Sequence, residues 1–232
     1  MSIRFLNFKT SQRLQFIPWF MAFALLPMTD VLAQHLDVVG SARVSEMDTL
    51  NMLQANIVSM ADGTLALRQF EVGDYAHGGI VFWVDESGEH GLVCDTADIH
   101  DGIAWRNGTD RVTNATGDGV GAGEMNTVLA IAMQTNDNTT GEFAALLCAE
   151  LMRAGYGDWY LPSKEELNLM YDQRAIINTS STANGGSAFV GADYWSSTEL
   201  TTSGASEQNF GNGTQNNQSK QGLNRVRAIR AF

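Results

Sequence analysis

The side chains best suited to holding a neutral polar ligand lie between Trp195 and Asn216. Trp195, Glu199, Asn209, Asn212, Gln215 and Asn216 supply a ring, a carboxylate and amides in one region of the chain. Amides and carboxylates bond sugar hydroxyls, and an aromatic ring lies against the apolar face of a sugar. These residues are therefore candidate ligand-binding groups for a carbohydrate. Each also has a plainer reading, Trp195 as a core ring and the amides as solvated loop residues. Calcium would require several oxygen ligands close together. Asp193 with Glu199, or Asp110 with Asp118, comes nearest, but no Asp-x-Asp-x-Asp run occurs and no metal is assigned.

Catalysis is poorly served by what remains. Nucleophilic chemistry needs a Ser or Cys with a base in reach, and the chain has only four His. His77 and His90 are followed by Gly78 and Gly91 without further ligands at metal spacing, so both read as structural. No Gly-rich phosphate loop follows a strand, and no zinc spacing is present. No catalytic residue and no cofactor are expected. Cys94 and Cys148 make an even pair in a chain that reads as exported, so a disulfide is one expectation. Closing a loop of about 50 residues would stabilise by about 4 kcal/mol in the chain-entropy picture. Two buried free thiols are the alternative.

Charge narrows the partners. The chain carries 14 Lys and Arg against 26 Asp and Glu, a net charge of −12. Such a surface repels nucleic acid and anionic membranes. A sulfated polysaccharide would want the opposite sign. The one dense basic cluster is Arg225, Arg227 and Arg230 with Lys220 nearby, and the ordinary reading is a salt-bridged final strand.

The elements that must position these groups are best marked at Gly155–Tyr171. Ser163 and Glu166 form a Ser-x-x-Glu capping box, Pro162 stands just outside it, and Leu167, Met170 and Tyr171 follow on one helical face. Trp159 precedes the cap in a short buried approach. Gly79–Val84 and His90–Cys94 read as a hairpin around Asp85–Gly88. Gly108–Gly123 is a long polar loop, the kind of element on which recognition is usually carried. A helix is expected over Thr127–Met133. Thr139 and Glu142 give a second capping box before a helix with Phe143, Leu146, Leu147, Leu151 and Met152 buried, ended by Gly155. Strands are expected at Tyr194–Glu199 and Glu207–Phe210, with a last one at Val226–Phe232.

Several of these segments together resemble a known family. His77–Phe82, Trp159–Leu167, Tyr194–Glu199 and Val226–Arg230 are similar, in this order, to the C-terminal domain of collagen-like bacterial adhesins. The resemblance covers about Gly73–Phe232. It implies an α+β domain of C-type-lectin-like fold, related to formylglycine-generating enzymes, and an adhesin-like head on the cell surface. The terminal strands of such folds pair, so Val226–Ala231 is expected beside Ile80–Val84. Cys94 and Cys148 do not stand in the paired arrangement that formylglycine-generating enzymes use, and no counterpart of those catalytic residues can be named. The reading is a binding head, with a structural head that folds and assembles its stalk as the alternative.

The N-terminal part has a different grain. Arg4, Lys9 and Arg13, an apolar run over Phe16–Leu26, and small residues at Val31 and Ala33 read as a signal peptide cut after Ala33. Pro18 and Pro27 leave the run far short of the roughly 20 residues of a spanning helix. Residues 34–72 alternate in short pairs between frequent turns, too short to bury an apolar face alone. They are expected to form an oligomerising stalk, with a homotrimer as the assembly. A linker is one alternative; another is a helix over Ser45–Met60 with Met47, Leu50, Leu53 and Ile57 in a stripe.

Overall fold

The computed structural model describes residues 57–59, 65–67, 69–136 and 138–232. The expected signal peptide at 1–33 lies outside them, as does most of the expected stalk at 34–72. Within the latter, β1 (Ile57–Ser59) and β2 (Leu65–Leu67) pair antiparallel with Ile57 opposite Leu67. Ile57–Ser59 is strand, not the last turn of a helix running to Met60.

Ahead of the larger sheets stands Phe70, whose side chain is buried and whose N–H donates to the Gly88 carbonyl. Then come β3 (Tyr75–Ala76), β4 (Gly79–Val84), β5 (Gly91–Cys94) and β6 (His100–Ile103). Four helices follow: α1 (Ala122–Gln134), α2 (Ala144–Ala149), α3 (Lys164–Asp172) and α4 (Arg174–Ala183). The chain ends in β7 (Asp193–Thr201), β8 (Gly204–Asn209), β9 (Gln215–Ser219), β10 (Asn224–Val226) and β11 (Ile229–Ala231). One sheet has the order β11-β5-β4-β3 and another the order β6-β10-β7-β8-β9. The architecture is α+β.

Strand alternation divides the interior into two cores. Ile80, Phe82, Leu92 and Cys94 share one with Leu167, Met170 and Ile177 of α3 and α4, whereas Val81 and Val93 join Trp105, Phe143, Cys148, Trp159 and Trp195. Successive side chains of a strand point to opposite faces, so one four-stranded sheet feeds both. This places the two cysteines. Cys94 belongs to the α3 side and Cys148, on α2, to the other, and both are free buried thiols. The expected disulfide is not formed, because the sheet stands between the two faces.

The chain's end departs from expectation in an informative way. Val226–Ala231 does not lie beside Ile80–Val84. It is split: β10 pairs with β6 and, in parallel, with β7, while β11 pairs with β5. The outer edge of β4 is already taken by β3, which leaves β5 as the open edge. Tyr160 closes the far side of β11, exchanging backbone bonds with Ile229 at 2.8 and 3.0 Å.

Helix α2 is shorter than its sequence suggested. Phe143 caps it in extended conformation with no side-chain bond, and the Thr139–Glu142 capping box is absent. Asn138 wins the local competition: its Oδ1 accepts the Thr140 N–H and hydroxyl, making a turn where a helix would start. Met152, expected in the buried stripe, is 73 % exposed. The capping box at Ser163 is present in full, with Glu166 N–H donating to Ser163 Oγ and Ser163 N–H to Glu166 Oε2.

Candidate functional site

Residues 108–121 form a long segment without regular structure ahead of α1. Two groups of buried side chains hold it from below. The first centres on Glu199 of β7, which is buried and accepts the successive N–H groups of Thr113 and Asn114, each at 2.9 Å. Asn114 has φ 60, in the left-handed region, which lets the two amides converge. Glu199 also pairs with Lys220, itself fully buried. The Lys220 ammonium donates further to the Arg111 carbonyl at 2.8 Å and the Thr202 carbonyl at 2.9 Å, and it lies 4.6 Å from the Trp105 ring centroid. All three of its hydrogens are used. Taking out one partner of such a pair costs about 3–5 kcal/mol, because the other charge is left buried alone.

The second group is the capping box itself. Glu166 accepts the Gly121 N–H at 2.8 Å as well as that of Ser163 at 2.7 Å, so one carboxylate serves the starts of both α1 and α3. Burial pushes its carboxyl above the ordinary value, against the pull of these hydrogen bonds. The Ser163 hydroxyl reaches the Gly119 carbonyl at 2.8 Å, and Glu165 N–H donates to the Asp118 carbonyl at 2.9 Å. Gly123 permits this approach. A methyl group there would come within 2.8 Å of the Leu161 carbonyl oxygen and closer still to Glu166. Asn126 of α1 holds Gly117 through both its N–H and its carbonyl, and Thr198 Oγ1 donates to the same carbonyl.

The loop is thus ordered at Thr113–Ala115 and at Gly117–Gly121, and it displays what lies between and around these points. Val112, Asn114, Thr116, Asp118 and Val120 are exposed. Fixed polar backbone with exposed short side chains suits a ligand bound by hydrogen bonds, with little ordering entropy left to lose on binding.

The six residues singled out from sequence do not converge on one site. Trp195 is fully buried and its Nε1–H donates to the Ile103 carbonyl at 2.8 Å, so its ring is core and meets no sugar. Glu199 anchors the loop. Asn209 builds a turn at the other end of β7, donating to Asp193 Oδ1 and accepting from the Gly211 and Asn212 N–H groups. Asn212 accepts from the Thr214 N–H and hydroxyl. Gln215 donates to the Lys164 carbonyl. Asn216 is exposed on β9, opposite Glu207, with which its side chain bonds. Asn209 pairs with Asp193 and Ala205 with Glu199, so about six residues of strand, roughly 20 Å, separate the two ends.

The basic cluster is consumed by partners. Arg225 and Arg227 both meet Asp98, and Arg230 makes a bidentate pair with Asp158, each bond 2.7 Å. That guanidinium holds the Asp158 carboxyl below its ordinary value. Burial pushes the Cys94 thiol up to about 12 and raises that of Cys148 as well, which removes both as nucleophiles at neutral pH. Among the described residues no group of three or more His, Cys, Asp or Glu could hold a metal, and no helix is long and apolar enough to cross a membrane. Sequence reasoning placed Lys220 only in the basic cluster and missed Thr113 and Asn114. Their partner Glu199 is 21 and about 86 positions away, and no local pattern carries such a pairing.

Two sheets, the helices packed on them and a strapped polar loop make this a domain of α+β class. The chain belongs to the Lcl C-terminal domain family, whose model matches residues 95–230. Among solved structures it is similar to a fimbrial protein from Bacteroides ovatus ATCC 8483, at 17% identity and a TM-score of 0.48. That match covers 77% of this chain and 49% of the fimbrial one, so the chain spans about half the length of that relative. No curated protein matches it.

Proposed function

We propose that the chain is an extracellular, adhesin-like binding module without catalytic activity, and that residues 108–121 carry recognition of a neutral polar ligand such as a glycan. The observation behind this reading is the cost of the loop's supports. A buried ion pair and a buried carboxylate are expensive to keep, and here both are spent on ordering one polar segment. The candidate site accordingly moves from Trp195–Asn216 to the loop that Glu199 holds. The signal-peptide reading of residues 1–33 and the family's adhesin membership support export to the cell surface, and the stalk reading of 34–72 supports a trimer, which would raise the avidity of weak sites.

The test is a glycan array probed with the full chain and with a double variant, Asn114→Gly with Thr116→Ala, glycine being compatible with the positive φ at 114. Loss of binding in the variant with an unchanged melting temperature supports the loop as the site. Absence of any glycan bound by the native chain, or binding indifferent to the variant, rejects it. A structural head is the second reading, and the burial of Trp195 favours it, since the aromatic platform expected for a sugar is not at the surface.

A further inference from the structure

Helix α1 is built inside out. Its buried residues are Gly123, Asn126, Thr127, Ala130 and Gln134. Met125 is 62 % exposed, Val128 56 % and Met133 37 %. The inward polar side chains reach backbone: Asn126 holds Gly117, Thr127 Oγ1 accepts the Leu161 N–H at 3.0 Å, and Gln134 Oε1 accepts the Asn107 N–H at 3.0 Å. The inner face is polar because it meets backbone. Nothing of the kind explains an apolar outer face, and a contiguous exposed apolar stripe on a soluble domain marks a contact surface.

At helical spacing Met125, Val128 and Ala132 fall on one line, with Leu129 and Met133 on its shoulder. We propose that this face is a contact between two copies of the chain, packed antiparallel about a two-fold axis near Val128. Charge is the first argument. Two copies at −12 each repel wherever their acidic surfaces meet, but Glu124 is the sole charge within Ala122–Gln134. Shape is the second. Reversal about a point between Val128 and Leu129 sets Met125 of each copy against Ala132 of the other, long side chain into small, twice over, as an isologous contact requires. Methionine suits such a surface because it adapts to an irregular partner. The stripe falls well short of the about 800 Å² per partner of a standard interface, so the contact is weak alone and is filled at high concentration or where copies are already gathered. It is independent of ligand binding by the 108–121 loop.

Two measurements on the full chain test this. In sedimentation equilibrium the weight-average mass should rise with concentration, at least towards twice whatever unit the chain holds at dilution, while Val128→Glu stays at that unit with an unchanged melting temperature. In the second, Val128→Cys is oxidised mildly. Cys94 and Cys148 are fully buried and do not compete. A cysteine near the axis should form linked pairs about tenfold or more faster than one introduced by Met152→Cys, since the contact raises its effective concentration. A mass that does not rise, or rises equally in Val128→Glu, overturns the proposal. So does cross-linking at 128 no faster than at 152. Slow reaction of the position-128 thiol with a water-soluble reagent at dilution also overturns it, for another segment of the chain would then cover the face.

Discussion

Helices α1 and α3 start within reach of one side chain, Glu166, which accepts from Gly121 ahead of α1 and from Ser163 at the cap of α3. From there they follow opposite patterns. Along α3 the buried residues include Leu167 and Met170, and the outward ones are largely polar. Along α1 Asn126, Thr127 and Gln134 face inward, and Met125 and Val128 face out. The difference lies in what each helix covers. The inner face of α3 meets the side chains of a core. That of α1 meets the backbone of Asn107, Gly117 and Leu161, whose N–H and carbonyl groups must be paired when water is excluded. A helix face takes the chemistry of its neighbour, and burial alone does not make it apolar.

The contrast can be broken at its strongest point by Leu167→Ala. Leu167 is 1 % exposed, and deletion of a buried leucine costs about 2–5 kcal/mol. The urea midpoint should fall accordingly. A fall under about 1 kcal/mol would mean that α3 contributes no packed core. Next comes Asn126→Ala on α1. It leaves the Gly117 N–H without its partner, while the carbonyl keeps only Thr198 Oγ1, at about 1–3 kcal/mol. Its signature is spatial: hydrogen exchange should quicken at Gly117 and its neighbours, while the amides of β4 and β5 keep their protection.

The two helices also mark how far the sequence could be read. Ser163–Glu166 followed by Leu167 and Met170 is a local signal, complete within eight residues, and it located α3, its cap and its buried face. The hairpin of β4 and β5 and the strands β7 and β8 were legible for the same reason, since alternation and turn residues act over short range. For α1 the existence of a helix was legible and its orientation was not, because polar inward residues have meaning only once the loop they bind is in place. The same holds for Glu199. Its type drew attention, but its role depends on Thr113, Asn114 and Lys220, all far away in sequence. Trp195 and the amides at 209–216 were chosen by composition, which does not distinguish a group aimed at a ligand from one closing a turn. The path of β10 and β11 turned on which strand edge was free, a property of the sheet that the last strand's own residues do not carry.

The shared carboxylate gives a subtler test. Burial raises the Glu166 carboxyl above its ordinary 4.5, so the folded chain holds this proton more tightly than the unfolded one. The stability it contributes is full below pH 4.5 and is lost as pH rises through the raised value. Glu166→Gln has no such proton. The native chain's advantage over Glu166→Gln should therefore shrink as denaturation is repeated from pH 4 towards pH 7. Growth of that advantage with pH would show that the Gly121 and Ser163 N–H groups, with two helix N-termini behind them, outweigh burial.

The smallest effect is expected where a conventional reading of α1 predicts one of the largest. Val128→Asn exchanges an apolar residue for a polar one in mid-helix, which on α3 at Leu167 would bury an unpaired amide. At 56 % exposure Val128 has no core to lose, and Asn differs little from Val in helix propensity. At concentrations too low for self-contact, the change in unfolding free energy should stay within about 0.5 kcal/mol. A loss several times larger would place Val128 against something within its own chain, and α1 would then have two buried faces instead of one inverted one. A null result, beside the losses at Leu167 and Asn126, would establish that the polar side of α1 is the structural side and leave its apolar side free for contact with another molecule.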